Sequence, residues 1–197
     1  MRLVLASASP RRRHLLAEHG YEFQTAVADI TEVTPAHLTP GETVLYNARA
    51  KAQAVARLQP DALVLGVDTL VAFDERVFGK PADMDEAFAM LSRLNGRAHE
   101  VFSGVWLCHW DSGRQYGFIE ATRVHFRHLA EPRLRAYMNR IGPLDKAGAY
   151  AAQDDNGELI EQFEGSFSNV IGLPMERFAL ALEHFTDGST STDQSIE

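Results

Sequence analysis

The sequence predicts an α/β fold on a mixed sheet, and three observations predict it. Strand-like apolar runs interleave with helix-period segments along the chain, and neither an internal repeat nor a clear linker divides it. The run ALVLGVDTLVAF is continuous and rich in branched residues, which reads as a central strand buried on both faces. With 197 residues, 45% apolar and 23% charged, the composition is that of a globular chain. A chain of this length buries roughly 70% of its extended surface, so it needs no staple. Its single cysteine, Cys108, excludes an internal disulfide framework and fits a reducing compartment. No leader pattern opens the sequence, and no apolar run approaches the roughly 18 to 20 residues of a membrane helix, so a cytoplasmic protein without membrane association is expected.

The elements follow in order. Residues 3–6 form a short apolar strand that gives way to SASP, where Ser9 is placed to cap a helix and Pro10 to begin it; the helix runs through RRRHLLAEH to Gly20. A second helix is expected over 42–58, where Val44, Leu45, Ala48, Ala52, Val55 and Ala56 recur at helical spacing while Asn47, Arg49, Lys51 and Arg57 take other faces. The central strand, 62–73, carries one carboxylate, Asp68. DERVFGKP reads as a turn and a short return strand. In DMDEAFAMLSRLNG, Asp83 precedes Glu86 by three residues, a capping-box-like start, and Asn95-Gly96 is the stop. Residues 99–110 and 115–127 are two long strands joined by DSGR, an antiparallel hairpin. A helix over 131–141 precedes Gly142-Pro143. AGAYAA and ELIEQFEG flank QDDNG and predict another hairpin, and the last helix is expected over 175–185. The polar tail 187–197 is expected to be disordered, leaving residues 1–186 as one domain.

A net charge of -8 repels long polyanions, so nucleic acid is not the expected partner; a small anion needs only a local positive site. ASASPRRR supplies one. A helix N-terminus offers free N–H groups and a partial positive charge, here joined by the hydroxyls of Ser7 and Ser9 and by three guanidinium groups. Arg11, Arg12 and Arg13 point about 100° apart, so at most two face one ligand. The alternative is a solvated helix start, but cations there oppose the dipole and call for an anion. Asp68, inside an apolar strand, must be paired, bound to a metal or open to a cleft, unless it caps a neighbouring turn.

SASPRRRHLLAEHG, NARAKAQAVA, GVDTLVAF, FGKP, DKAGAYAAQ and GSFSNVIGLP, in that order, resemble the Maf family of nucleoside triphosphate pyrophosphatases, across residues 3–178. The resemblance implies a single Maf/ITPase-like α/β domain, built on a long mixed sheet flanked by helices with a central cleft, often as a homodimer. It implies hydrolysis of a small-molecule nucleoside triphosphate to the monophosphate and pyrophosphate with Mg²⁺ or Mn²⁺, and a link to septum formation. The aspartate of GVDT is the family's proposed proton acceptor, which makes Asp68 the expected base and a metal ligand. A free aspartate, with a pKa of roughly 4, is a weak base at neutral pH, so burial or a bound cation that acidifies the water must assist it.

Glu32, in DITEV, matches an acidic position near the family's cleft and is expected to share the metal; taken alone it reads as a loop acid. Lys51 and Lys80 fall where the family contacts the triphosphate, with Arg11, Arg12, Ser7 and Ser9; alone, both lysines read as surface residues. Thr69 and Gln153 are the positions expected to govern base choice. Threonine after the aspartate marks members that favour dTTP and UTP, and glutamine marks the 7-methyl-GTP branch, the alternative substrate. Ala8 and Phe167 depart from the family's usual residues without removing a charged group.

Other chemistries find less support. His125 and His128 match no zinc spacing, no GxSxG elbow or Walker A motif is present, and Cys108 reads as a small apolar packer. Phe102, Trp106 and Trp110 recur at even spacing, as a sheet face or dimer contact would. A nucleotide-binding regulator of division, acting through a partner, is the competing function class.

Overall fold

The computed structural model describes residues 1–27, 29–74 and 76–186, so the tail expected to be disordered lies outside the described residues. β1 (Leu3–Leu5) leads into α1 (Pro10–Glu18) as SASP requires, with the Ser9 hydroxyl accepting from the Arg12 amide and Pro10 in the first turn. After β2 (Phe23–Thr25) comes α2 (Pro40–Leu58), which starts two residues before the expected residue 42 because Thr39 and Glu42 form a reciprocal capping box. β3 (Leu63–Phe73) is the central strand, and β4 (Arg76–Phe78) turns back on it. α3 (Met84–Leu94) is capped by Asp83 as expected. β5 (Ala98–His109) and β6 (Arg114–Phe126) form the long hairpin, α4 (Glu131–Ile141) follows, and β7 (Ile160–Glu164), α5 (Phe167–Ile171) and α6 (Met175–Thr186) complete the described chain.

Among the described residues seven strands make one mixed sheet: six run in the order β2-β1-β3-β5-β6-β7, and β4 pairs with β3 off that path. β3 is parallel to β1 and antiparallel to β5. On the β1 edge its partner changes: Leu3–Leu5 pairs with Leu63–Leu65, and β4 takes over at Val71. Between these points, residues 66–70 of β3 keep β5 on one side and, among the described residues, have no ladder partner on the other. That gap is the cleft, and Asp68 and Thr69 lie in it.

Alternation along β3 sorts its side chains between two layers. Leu63, Leu65 and Val67 pack with Leu15, Leu16, Leu173 and Phe178, whereas Val64 faces Ala52, Val55 and Ala56 of α2. α2 presses close because Gly66 and Gly104 lack side chains: a Cβ on Gly66 would run into the Ala48 carbonyl and Ala52, and one on Gly104 into the Val44 backbone. Cys108 is buried in this layer, as its apolar reading requires. Trp106 and Trp110 lie under Arg49 and Arg57 of the same helix, with the guanidinium carbons 5.1 and 5.2 Å from the ring centres.

Two sequence expectations are corrected. The predicted hairpin across QDDNG does not form: residues 143–154 make three short 3-10 turns, and the strand that follows pairs with β6. Gly148 and the non-glycine Ala149 both take positive φ, 68° and 63°, which bends the backbone out of an extended path. Asn47 does not take a face apart from the apolar residues of α2: it is 4% exposed, on the face that meets β3.

Candidate active site

Successive residues of a strand point to opposite faces, so Asp68 and Thr69 would ordinarily serve different layers. Here the missing partner strand lets both line one cleft of about 550 Å³, and every site residue expected from the sequence lines it too: Ser7, Ser9, Arg11, Arg12, Glu32, Lys51, Lys80 and Gln153. Five cationic side chains meet three carboxylates there, which reverses the sign of the chain's net charge locally.

Asp68 faces α2. Its Oδ1 accepts from Lys51 Nζ at 2.6 Å and its Oδ2 from Asn47 Nδ2 at 3.0 Å. Asn47 and Lys51 are one helical turn apart, so both reach the same carboxylate. Asn47 is itself fixed from outside the helix, accepting from the Val33 amide and donating to the Val33 carbonyl. Lys51 also bonds Glu32 at 2.7 Å, which brings the two expected carboxylates to opposite sides of one ammonium. Partial burial pushes Glu32 up, but the Lys51 hydrogen bond and charge, with Lys80 and Arg12, outweigh it and hold Glu32 below the usual carboxylate range.

Thr69 faces the other way. Its hydroxyl contacts Ser103 at 2.8 Å and accepts from Arg12 at 3.1 Å. The same guanidinium donates to Ser7 Oγ at 3.0 Å and to the Gly172 carbonyl at 2.9 Å. Burial presses Arg12 below its ordinary pKa, and the charge of Asp68 opposes the shift. Of the three consecutive arginines, Arg11 and Arg12 line the cleft and Arg13 does not, as the helical spacing requires. Lys80 sits on the turn after β4, which is tied to the far wall by the Gly148 amide donating to the Gly79 carbonyl.

Sequence reasoning missed four contributors. The apolar period sets Asn47 on another face, although its place three residues after Val44 and four before Lys51 is a usable signal. Asp145 and Lys146 lie in the quoted DKAGAYAAQ motif but were given no role; both line the cleft. Tyr150 joins Val71, Val101 and Val170 in its apolar wall, with its hydroxyl 3.0 Å from His99 Nε2. Nothing in the local pattern announced that contact, because β5 supplies His99 from 51 residues away.

Among the described residues there is no group of three or more His, Cys, Asp or Glu side chains placed to hold a metal. Asp68 and Glu32 offer hard carboxylate oxygens on either side of Lys51. This donor set fits Mg²⁺ or Mn²⁺ when phosphate and water complete the shell, since Mg²⁺ typically takes one or two carboxylates.

The model of the family described as Maf-like protein matches residues 2–185. A dTTP/UTP pyrophosphatase of Pelotomaculum thermopropionicum is 45% identical over 183 residues, 93% of this chain and 96% of that protein. One of Myxococcus xanthus is 47% identical over 182 residues, 92% and 91% of the two chains. One of Bacillus cytotoxicus is 37% identical over 189 residues, 96% and 98% of the two.

Proposed function

The chain belongs to the Maf family, and from that premise we propose that it is a nucleoside triphosphate pyrophosphatase that hydrolyses dTTP and UTP to the monophosphate and pyrophosphate. The observation that carries the reading is a buried carboxylate, Asp68, set in a strand gap and sharing its cleft with Arg11, Arg12, Lys51, Lys80 and Lys146. Such a cleft suits a polyanion that is attacked by water.

Water attacks the α-phosphorus and loses a proton to Asp68; the bond from the α-phosphorus to the bridging oxygen breaks, and pyrophosphate leaves with that oxygen. Asn47 aims the carboxylate, and Lys51, while holding it, presents its ammonium to the phosphate oxygens. Arg12, braced by Ser7, Thr69 and the Gly172 carbonyl, presents a fixed charge to the phosphates. Asp68 and Glu32 would hold a divalent cation, which neutralises phosphate charge when bound. Gln153 offers both a donor and an acceptor for a pyrimidine edge, and threonine at position 69 supports dTTP and UTP over 7-methyl-GTP.

We place the enzyme in the cytoplasm with its substrates and, on the family resemblance, as a homodimer. No helix among the described residues is long and apolar enough to cross a membrane. The test is pyrophosphate release from a panel of canonical and modified nucleoside triphosphates with Mg²⁺ or Mn²⁺. Wild type is expected to act mainly on dTTP and UTP, and Asp68→Asn to lose roughly a hundredfold or more of the turnover while still binding nucleotide. Full turnover in the variant would remove Asp68 from the chemistry, and activity confined to 7-methyl-GTP would overturn the base assignment.

A further inference from the structure

Building on the pyrophosphatase reading of the cleft, we propose that Arg11 and Lys146 form a subsite for the pyrophosphate end of the substrate, and that Asp145 fills it by default as an internal stand-in for a phosphoryl group. One carboxylate spans the two cations: Asp145 Oδ2 accepts from Arg11 at 2.8 Å and Oδ1 from Lys146 at 2.6 Å. The two oxygens of a phosphoryl edge engage a guanidinium and an ammonium in the same way.

The cations are the built part of this arrangement and the acid is the loose part. The Lys146 side chain is only 12% exposed and donates a second bond to the Gly142 carbonyl at 2.8 Å. Arg11, 20% exposed, emerges from the first turn of α1, and its second terminal nitrogen bonds the Asp145 carbonyl at 3.1 Å. The Asp145 side chain is 57% exposed. An exposed carboxylate gains little from such contacts and exchanges readily with an anion of higher charge. Both cations line the cleft that holds Asp68, so they are accessible to the leaving end of a nucleotide whose α-phosphate lies against that carboxylate.

The arrangement sorts ligands by phosphate number. A triphosphate or free pyrophosphate reaches Arg11 and Lys146 and displaces the Asp145 carboxylate, whereas a monophosphate does not extend that far. After cleavage, the returning carboxylate competes with bound pyrophosphate and speeds its release.

Calorimetric titration of inorganic pyrophosphate, with Mg²⁺ present, into wild type, Asp145→Asn and Lys146→Met tests this, alongside KM for dTTP. Asp145→Asn is expected to tighten pyrophosphate binding about tenfold and to lower KM, since a neutral amide competes poorly for two cations; Lys146→Met is expected to weaken binding about tenfold. Asp145→Ser, which removes the carboxylate differently, should reproduce the tightening. The proposal is overturned if both Asp145 variants bind pyrophosphate no more tightly than wild type, or as weakly as Lys146→Met, which would make Asp145 a brace for the cations. If wild type cleaves no triphosphate, the pyrophosphatase reading falls, while the pyrophosphate titration still decides the subsite.

Discussion

Asn47 makes three hydrogen bonds with a single amide: it accepts from and donates to Val33, and donates again to Asp68. Asn47→Asp keeps the shape and the acceptor but replaces the amide donor with a second carboxylate, which repels the first instead of holding it. Turnover of dTTP at neutral pH is expected to fall about tenfold; an unchanged kcat would mean that the amide does not aim the carboxylate. Thr69 is bound up with Arg12 and Ser103, so in the proposed mechanism its hydroxyl acts on the substrate through the guanidinium it holds. Thr69→Val retains the volume and removes the hydroxyl. KM for dTTP is expected to rise about tenfold with a smaller change in kcat, because the loss of one charge-assisted bond is worth about 1.5 kcal/mol; equal affinity would place Arg12 in the hands of Ser7 and Gly172 alone.

At the scale of elements, the approach of α2 to the sheet decides whether Asn47 and Lys51 reach Asp68 at all. Gly104→Ala would drive a methyl group into the Val44 backbone, which cannot swing aside as a flexible side chain could. A loss of about 3 kcal/mol is expected from urea unfolding, together with reduced turnover at temperatures where the variant is still folded. Unaltered stability would show that the helix has room to move. The same element shows what local pattern can and cannot reveal. Its apolar stripe, its extent to residue 58 and the neighbouring β-runs were legible because periodicity is written in consecutive residues. β2 and α5, of three and five residues, were missed because they are too short to display a period. The segment 143–154 was misread because alanine-rich AGAYAA resembles a strand until Gly148 and Ala149 take positive φ, a choice made by contacts with the loop at Gly79. The charged site residues were legible as a set only through ordered motifs; their convergence depends on β1 giving way to β4 along β3, which no single stretch encodes.

For the molecule as a whole, the wall behind the cleft links stability to pH through His99, 3% exposed among Phe126 and Tyr150, with ring centres 4.6 and 5.3 Å away. Burial, reinforced by the nearby His125, pushes its pKa from an ordinary 6.5 down to about 3. The unfolded chain therefore binds a proton at this residue between those two values and the folded chain does not, so stability is full above 6.5 and declines as the solution is acidified toward 3. From pH 7 to pH 5 the loss attributable to this one group is about 2 kcal/mol. Glu32 and Asp145 are both held below the usual carboxylate range, so they release their stabilisation at lower pH and leave this window to the histidine. His99→Gln retains a hydrogen-bonding group toward Tyr150 and removes the titration. Urea unfolding at pH 7, 6 and 5 is expected to show the wild type losing stability steadily and the variant, less stable at pH 7, changing by less than half as much. Parallel pH profiles for the two proteins would mean that the folded chain accommodates a charged imidazole behind Tyr150, and that the cleft wall yields under acid rather than resisting until the whole sheet opens.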